Sequence, residues 1–416
     1  MNTDFVRTQF PGLRNDFIFM DNAGGSQMLG SVIDRIADFS KNYYVQLGAT
    51  YKVSANASAK LDESIRAIAL FINAKNPKEL VLGPSTSMLL RILSICISRQ
   101  WKPGDEVIVT NSDHEANVSC WTDLQEKGIV IKTWKLNPET LEFDTDDLIQ
   151  LLTPRTRLVA MCHVSNILGT INPVKEIAKI VHDAGSLICI DGVAHTPHRL
   201  VDVTDLDADF YAFSTYKVFG PHQAVLYGKY DLLREMDGIN HYFFTKDDVP
   251  YKFQPGNVNF ELTYSLGAIP EYFIRLHDHH YPGLKGLTTQ EKYLRSYDLV
   301  ARHEEELSSM ILDYLISVNG IRIVGEKSAS LQKRVPTISF IHPRFKSSEV
   351  VTRMDDYNIG IRYGDFYAKK IIRDLGLVEK DGVIRVSLVH YNSKEEVLKL
   401  IGAFEKILID LRRACP

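Results

Sequence analysis

Between residues 80 and 227 the chain alternates short apolar runs with amphipathic stretches, and this constrains its fold more than any other feature. Leu80-Val81-Leu82-Gly83 reads as a strand. From Ser85 to Ile97, residues Leu89, Leu90, Ile92, Leu93 and Ile97 then fall at helical spacing. The turn Pro103-Gly104-Asp105 introduces Glu106-Val107-Ile108-Val109-Thr110, and further strands are expected at 129–134, 157–164, 186–190, 209–213 and 224–227. A helix over Pro173 to Ala184, ended by Gly185, separates two of them. Strands divided by helices imply an α/β fold whose sheet is mainly parallel, with helices on both faces.

The last third changes character. A long amphipathic stretch from Thr288 to Val318 precedes short strands at Thr337-Ile338-Ser339-Phe340 and Val383-Ile384-Arg385-Val386-Ser387. A closing helix is expected from Ser393 to Arg412, with Ser393-Lys394-Glu395-Glu396 as its capping box. This predicts a large domain over residues 31–275 and a smaller α+β domain formed by residues 1–30 and 276–416. The 416-residue chain is long enough for two such units. His277-Asp278-His279-His280 is read as a solvated linker, because adjacent histidines do not converge on one metal; no metal is expected.

A formal net charge of -4 gives no electrostatic case for nucleic acid or an anionic membrane. No apolar stretch is long enough to span a bilayer, and the N-terminal residues lack the build of a signal peptide. Cys96, Cys120, Cys162, Cys189 and Cys415 are scattered, without a CxxC pair. They suit reduced thiols in a cytoplasmic protein.

In a parallel sheet, the strand ends at Asp191 and at Ser214-Thr215-Tyr216-Lys217 open onto one edge, where α/β sheets bind ligands. A buried carboxylate facing a buried lysine suits pyridoxal phosphate: the amine forms a Schiff base and the carboxylate keeps the pyridine nitrogen protonated. An ordinary strand-end Lys and Asp in a solvated loop would read the same way. Gly83-Pro84-Ser85-Thr86-Ser87, between a strand and a helix, is either a phosphate site or a plain N-cap cluster, and Ser214 and Tyr216 could add phosphate contacts. His114, in Ser112-Asp113-His114-Glu115-Ala116-Asn117, either lies over a cofactor ring or is structural.

Taken in order, these pieces resemble the class V aminotransferase family of fold-type I pyridoxal-phosphate enzymes, in its cysteine-desulfurase-like branch. Phe19-Met20-Asp21-Asn22-Ala23-Gly24-Gly25 is similar to the family's opening motif, which makes Asn22 a candidate substrate contact. His163-Val164-Ser165-Asn166-Ile167-Leu168-Gly169 resembles the segment whose Asn, here Asn166, approaches the cofactor's 3-hydroxyl. Asp191-Gly192-Val193-Ala194-His195 matches the pyridinium-binding strand end, Ser214 to Lys217 the Schiff-base segment, and His114 the ring-stacking position. Val383 to Asn392 looks like the segment whose Arg, here Arg385, clamps the substrate carboxylate. The resemblance implies a large domain with a seven-stranded sheet, a small α+β domain, and a homodimer with active sites at the subunit interface.

Departures from the pattern matter as much. The loop that carries a sulfur-accepting cysteine in desulfurases reads Ile361-Arg362-Tyr363-Gly364-Asp365-Phe366-Tyr367-Ala368, with Tyr367 in the cysteine's place. A phenol cannot accept sulfur as a thiolate does; Cys120 is the remaining alternative thiol. Ala194 stands where the family has a Gln that bonds the cofactor oxygen, and His195 either replaces it or packs. Asn257 takes the position from which the opposing subunit reaches the phosphate. The favoured expectation is a β-elimination lyase, of carbon–sulfur type, acting on a cysteine-like amino acid, with Lys217 and His114 as catalytic groups. An aminotransferase or a decarboxylative carbon–carbon-forming enzyme is the alternative, followed by a desulfurase with sulfur relay and by a catalytically silent cofactor-binding protein.

Overall fold

The structure, a computed structural model, describes residues 1–414; Cys415 lies outside them. A short strand, Ile18–Phe19 (β1), precedes the main sheet. That sheet comprises Leu80–Gly83 (β2), Glu106–Thr110 (β3), Val130–Trp134 (β4), Thr156–Cys162 (β5), Leu187–Asp191 (β6), Phe210–Ser214 (β7) and Ala224–Gly228 (β8). Its order is β2-β8-β7-β6-β5-β3-β4. β8 runs antiparallel to both its neighbours, and every other pairing is parallel. With β8 alone reversed, the C-terminal ends of β2, β3, β5, β6 and β7 open onto one edge.

Alternation along the strands explains the two-faced burial. Ile108, Val159, Met161, Ile188, Ile190, Tyr211 and Phe213 belong to one hydrophobic cluster, together with the helices Val174–Asp183 and Ala268–His280. Val107, Val109, Leu158, Ala160, Cys189, Phe210 and Ala212 face the other way, against the helix Thr86–Ile97. Each large aliphatic side chain withdrawn from water contributes about 1.5–3 kcal/mol, so both layers hold the sheet strongly. Ser85 caps the helix Thr86–Ile97 by accepting from the Met88 N–H, and Gly185 takes φ +76° just past the Val174–Asp183 helix.

A second, fully antiparallel sheet is built from Arg322–Val324 (β9), Thr337–Ile341 (β10), Arg362–Gly364 and Val383–Ser387. With Ile359–Gly360 as β11, the latter two strands are β12 and β13, and the sheet order is β12-β13-β10-β9. β11 pairs with β1 in parallel, tying the N-terminal segment to this unit. One helix, Thr289–Ser317, joins the two cores. Tyr293, Tyr297 and Val300 pack in the main cluster, while Leu307, Ile311, Leu312 and Leu315 pack in the second. Its N-terminus carries a capping box between Thr288 and Glu291, and the closing helix Lys394–Ala414 is capped by Ser393 and Glu396.

The histidine run is not a linker. His277 to His280 form the last turn of the helix Ala268–His280, and His277 is fully buried. The apolar face of that helix continues through Phe273 and Leu276, which carries the next residue inward, while Asp278 takes His277 Nδ1 at 2.9 Å. His279 stacks on Phe5 with ring centroids 3.7 Å apart. No helix among the described residues is long and apolar enough to cross a membrane.

Candidate active site

A cavity lies at the shared C-terminal edge, and five strand ends supply its walls. Ser85, Thr86 and Ser87 follow β2; His114 and Ala116 follow β3; Cys162, Val164 and Asn166 come from the end of β5. Asp191, Val193 and Ala194 follow β6, and Ser214, Tyr216 and Lys217 follow β7.

At one end, hydroxyl groups gather around a helix N-terminus. Thr86 and Ser214 share a buried 2.7 Å hydrogen bond between their hydroxyls, and Tyr216 stands beside them, its ring stacked on His222 at 4.7 Å. The helix N-terminus of Thr86–Ile97, with its N–H groups and dipole, gives this end the polarity that suits an anion. At the other end Asp191 is buried, and its Oδ1 accepts from the Val193 N–H at 2.9 Å. Burial raises its pKa, opposed by that N–H and by Lys217. Gly192 is required beside it, since a Cβ there would lie 2.0 Å from the Tyr211 ring. Beneath, Asp113 accepts from the Thr110 hydroxyl, Asn117 Nδ2 and the Cys162 N–H. Burial pushes its pKa up to about 7.

Between the two ends sits Lys217, in the turn Thr215–Lys217. Burial and the Arg385 charge lower its pKa to about 8, against the opposite pull of Asp191 and Asp21. His114 Nδ1 accepts from the Ala116 N–H at 3.0 Å, which places the ring proton of the neutral imidazole on Nε2. Burial, with Lys217 and Arg385, brings its pKa down to about 4, so it is neutral at physiological pH. Asn166 donates through Nδ2 to the Phe366 carbonyl at 2.9 Å, while its Oδ1 is buried without a partner among the described residues.

Five predicted residues lie outside the lining. Asn22 is buried with its amide already used: Nδ2 donates to Phe19 O, Ser387 O and Asn392 Oδ1, and Oδ1 accepts from the Tyr391 hydroxyl. Its candidate role as a substrate contact gives way to that of a node between the N-terminal segment and the segment after β13. His195 does not reach the cavity. The tight turn after Gly192 points Val193 and Ala194 inward and rotates His195 beneath, where it stacks on His163 at 3.5 Å. Asn257 lines a neighbouring cavity with Gly83, Pro84 and His222. Arg385 lies behind the lining, 2% exposed, with Nη2 on Asp21 Oδ1 at 2.8 Å and Nη1 on Asn166 O at 3.2 Å. Tyr367 is 63% exposed at the mouth, its ring 5.4 Å from His114.

Sequence reasoning missed Asp21 as the partner of Arg385, and Phe366, whose ring lies 3.6 Å from the guanidinium carbon. No local pattern marks either contact. Cys120 is buried and does not line the cavity, which removes it as an alternative sulfur acceptor. Cys162 does line it, but burial together with Asp113 and Asp191 raises its pKa well above the usual thiol range.

An anion cradle, a buried carboxylate, an unpartnered Asn166 oxygen and a desolvated lysine between them fit the phosphate, pyridine nitrogen, ring hydroxyl and aldehyde of pyridoxal phosphate. The fold and site therefore define a pyridoxal-phosphate-dependent enzyme of fold type I. The family description "Aminotransferase class-V" matches residues 18–281 and 278–400. The aminotransferase-like protein FGM3 of Gibberella zeae is 40% identical over 97% of this chain and 98% of its own length. A cysteine desulfurase-like protein, ustD of Aspergillus flavus, is 34% identical over 98% of this chain and 91% of its own. Among solved structures, the cysteine desulfurase CsdA of Escherichia coli superposes with a TM-score of 0.82 at 26% identity, covering 98% of both chains. The chain belongs to the class V aminotransferases.

Proposed function

We propose that this enzyme removes a β-substituent, held through sulfur, from a cysteine-like amino acid without passing the sulfur to a thiol of its own. When bound, the cofactor supplies an electron sink that stabilises negative charge at the substrate's Cα. Ser85, Thr86, Ser214 and Tyr216 would hold its phosphate, Asp191 its ring nitrogen and Asn166 its hydroxyl. Lys217, with a pKa of about 8, is matched to removing the α-proton near neutral pH. Arg385 would receive the substrate carboxylate through its buried Nε, which has no partner among the described residues.

One observation carries the choice of reaction. His114 presents an Nε2–H donor, while the desulfurase cysteine position holds Tyr367 and the thiol on the cavity wall, Cys162, is held protonated. A departing thiolate can thus take a hydrogen bond from His114 and a proton from Lys217 once that amine has accepted the α-proton, but meets no nucleophilic thiolate to capture its sulfur. In a homodimer, Asn257, which lines a second cavity beside the phosphate loop, would reach toward the partner's cofactor phosphate. The described cysteines are buried and free, in keeping with a reducing cytoplasm.

A second reading, decarboxylation or transamination of an amino acid with two carboxylates, draws on Arg362. It lies directly opposite Arg385 in the β12–β13 register, and Asp21 Oδ2 is 4.0 Å away. That second guanidinium could hold a carboxylate that a cysteine-like substrate lacks.

Product analysis separates the readings. Loaded enzyme is mixed with L-cysteine, S-substituted cysteines and L-aspartate. Pyruvate, ammonia and free thiol establish the lyase. CO2 or an oxo acid from aspartate, with none of these from the cysteines, overturns it in favour of the second reading. Alanine with sulfane sulfur would establish sulfur transfer to a thiol and refute the role given to Tyr367.

A further inference from the structure

The segment after β12 takes a backbone path that bulky residues rarely adopt. Phe366 and Tyr367 are consecutive and both left-handed, with φ of +50° and +60°. Such a conformation persists only where its surroundings over-determine it. Here both carbonyls of the pair are held by active-site segments. Phe366 O accepts from Asn166 Nδ2 at 2.9 Å, and Tyr367 O accepts from the Glu115 N–H, next to His114, at 2.7 Å. Asp365 closes the turn by accepting from the Tyr367 N–H at 2.9 Å.

The strained turn places the Phe366 ring face against Arg385, 3.6 Å from the guanidinium carbon, with the ring 9% exposed. Arg385 is therefore fixed three ways: its face by Phe366, Nη2 by Asp21 and Nη1 by the Asn166 carbonyl. Its Nε remains, buried and unpartnered among the described residues. A desolvated cation with one unmet N–H calls for an anionic acceptor at that edge.

We propose that Phe366 is the positioning residue of the substrate-carboxylate site: its ring holds the Arg385 guanidinium in the plane that presents Nε, and the pinned segment 365–368 is a fixed wall of that site. The inference rests on Arg385 receiving the carboxylate.

Two small probes test this without knowledge of the substrate. Aminooxyacetate and methoxyamine both react with the cofactor's carbonyl carbon through an aminooxy group, but only the first carries a carboxylate. Each is titrated into the loaded protein, and the change in the cofactor's visible absorbance gives a half-saturating concentration. The methoxyamine-to-aminooxyacetate ratio reports carboxylate recognition alone. Wild type should favour aminooxyacetate, Phe366→Leu and Phe366→Met should lose about tenfold of that preference, and Phe366→Tyr should keep it. The Met variant preserves apolar bulk, so it remains informative if the Leu variant fails to fold. A preference lost in Arg385→Ala but intact in both Phe366 variants would overturn the proposal alone. A preference unchanged in Arg385→Ala would overturn the carboxylate role of Arg385, and the proposal with it.

Discussion

Lys217→Met should make the cofactor-free protein more stable, and by an amount that depends on pH. Burial and the Arg385 charge bring the Lys217 pKa from 10.5 in the unfolded chain to about 8 in the folded one. The folded state thus binds this proton more weakly than the unfolded state, so stability rises with pH through the interval between the two values. Below pH 8 both states are protonated and the cost is fully present; it fades from pH 8 upward and is gone above 10.5. A shift of about 2.5 units at about 1.36 kcal/mol each amounts to about 3 kcal/mol at pH 7 and about 1 kcal/mol at pH 10. Methionine nearly matches the lysine stem in volume, so little packing is lost. Urea denaturation of the cofactor-free wild type and variant, run in parallel at pH 7 and pH 10, reads both numbers. Equal stability at both pH values, or a variant less stable at pH 7, would refute the view of Lys217 as an amine held against its solvation preference.

The other predictions are more local. Lys217→Ala should retain cofactor yet lose turnover by orders of magnitude, measured as product formed per bound cofactor; wild-type rates would sink its assignment as the base. Thr86→Val removes one of the hydroxyls proposed to hold the phosphate and should raise the cofactor dissociation constant about tenfold, from the ~1–3 kcal/mol cost of an unmade hydrogen bond to a charged group. His114 has a pKa near 4, so its contribution to the rate should stay flat from pH 8 to pH 6 and fall only below about 5. An inflection between pH 6 and 7 that disappears in His114→Gln would contradict this. Asp21→Asn should destabilise the fold by about 2 kcal/mol, less than for a fully enclosed pair because Asp21 is part-exposed, as thermal denaturation would show.

The parts of this enzyme that are legible in the sequence are those encoded over short distances. Apolar runs of β3, β5, β6 and β7 are buried on both faces, so they read as strands without reference to their neighbours. The residues just beyond them line the cavity, because a parallel sheet brings successive strand ends to one edge. That is why Ser85, Thr86, His114, Asn166, Asp191, Ser214, Tyr216 and Lys217 could be named together and are found around one cavity. Of the two readings open for His195, the packed one holds, because the turn after Gly192 reverses direction within three residues and one position decides whether a side chain faces the cavity or the layer beneath. Asn22 was misplaced for a related reason. Its motif was recognisable, but the hydrogen bonds that consume its amide come from residues 387–392, far along the chain.

The carboxylate end of the site was the least legible, and its physics explains this. Arg385 depends on Asp21, 364 positions away, and on a phenylalanine whose backbone occupies a region that sequence propensity disfavours. Both are consequences of the second sheet: β12 sets residue 362 opposite residue 385, β1 pairs with β11, and Asp21 bridges to Ser387 just beyond. A charge placed against a like charge in adjacent strands is destabilising unless a counter-charge lies between them. Asp21 fills that position for Arg362 and Arg385 at once. One carboxylate for two guanidinium groups leaves the cluster a net cation before substrate arrives. The residues proposed to hold the cofactor are thus written in the strand ends of one sheet. The carboxylate end proposed for Arg385 is written instead in the pairing of the other sheet with the N-terminal segment.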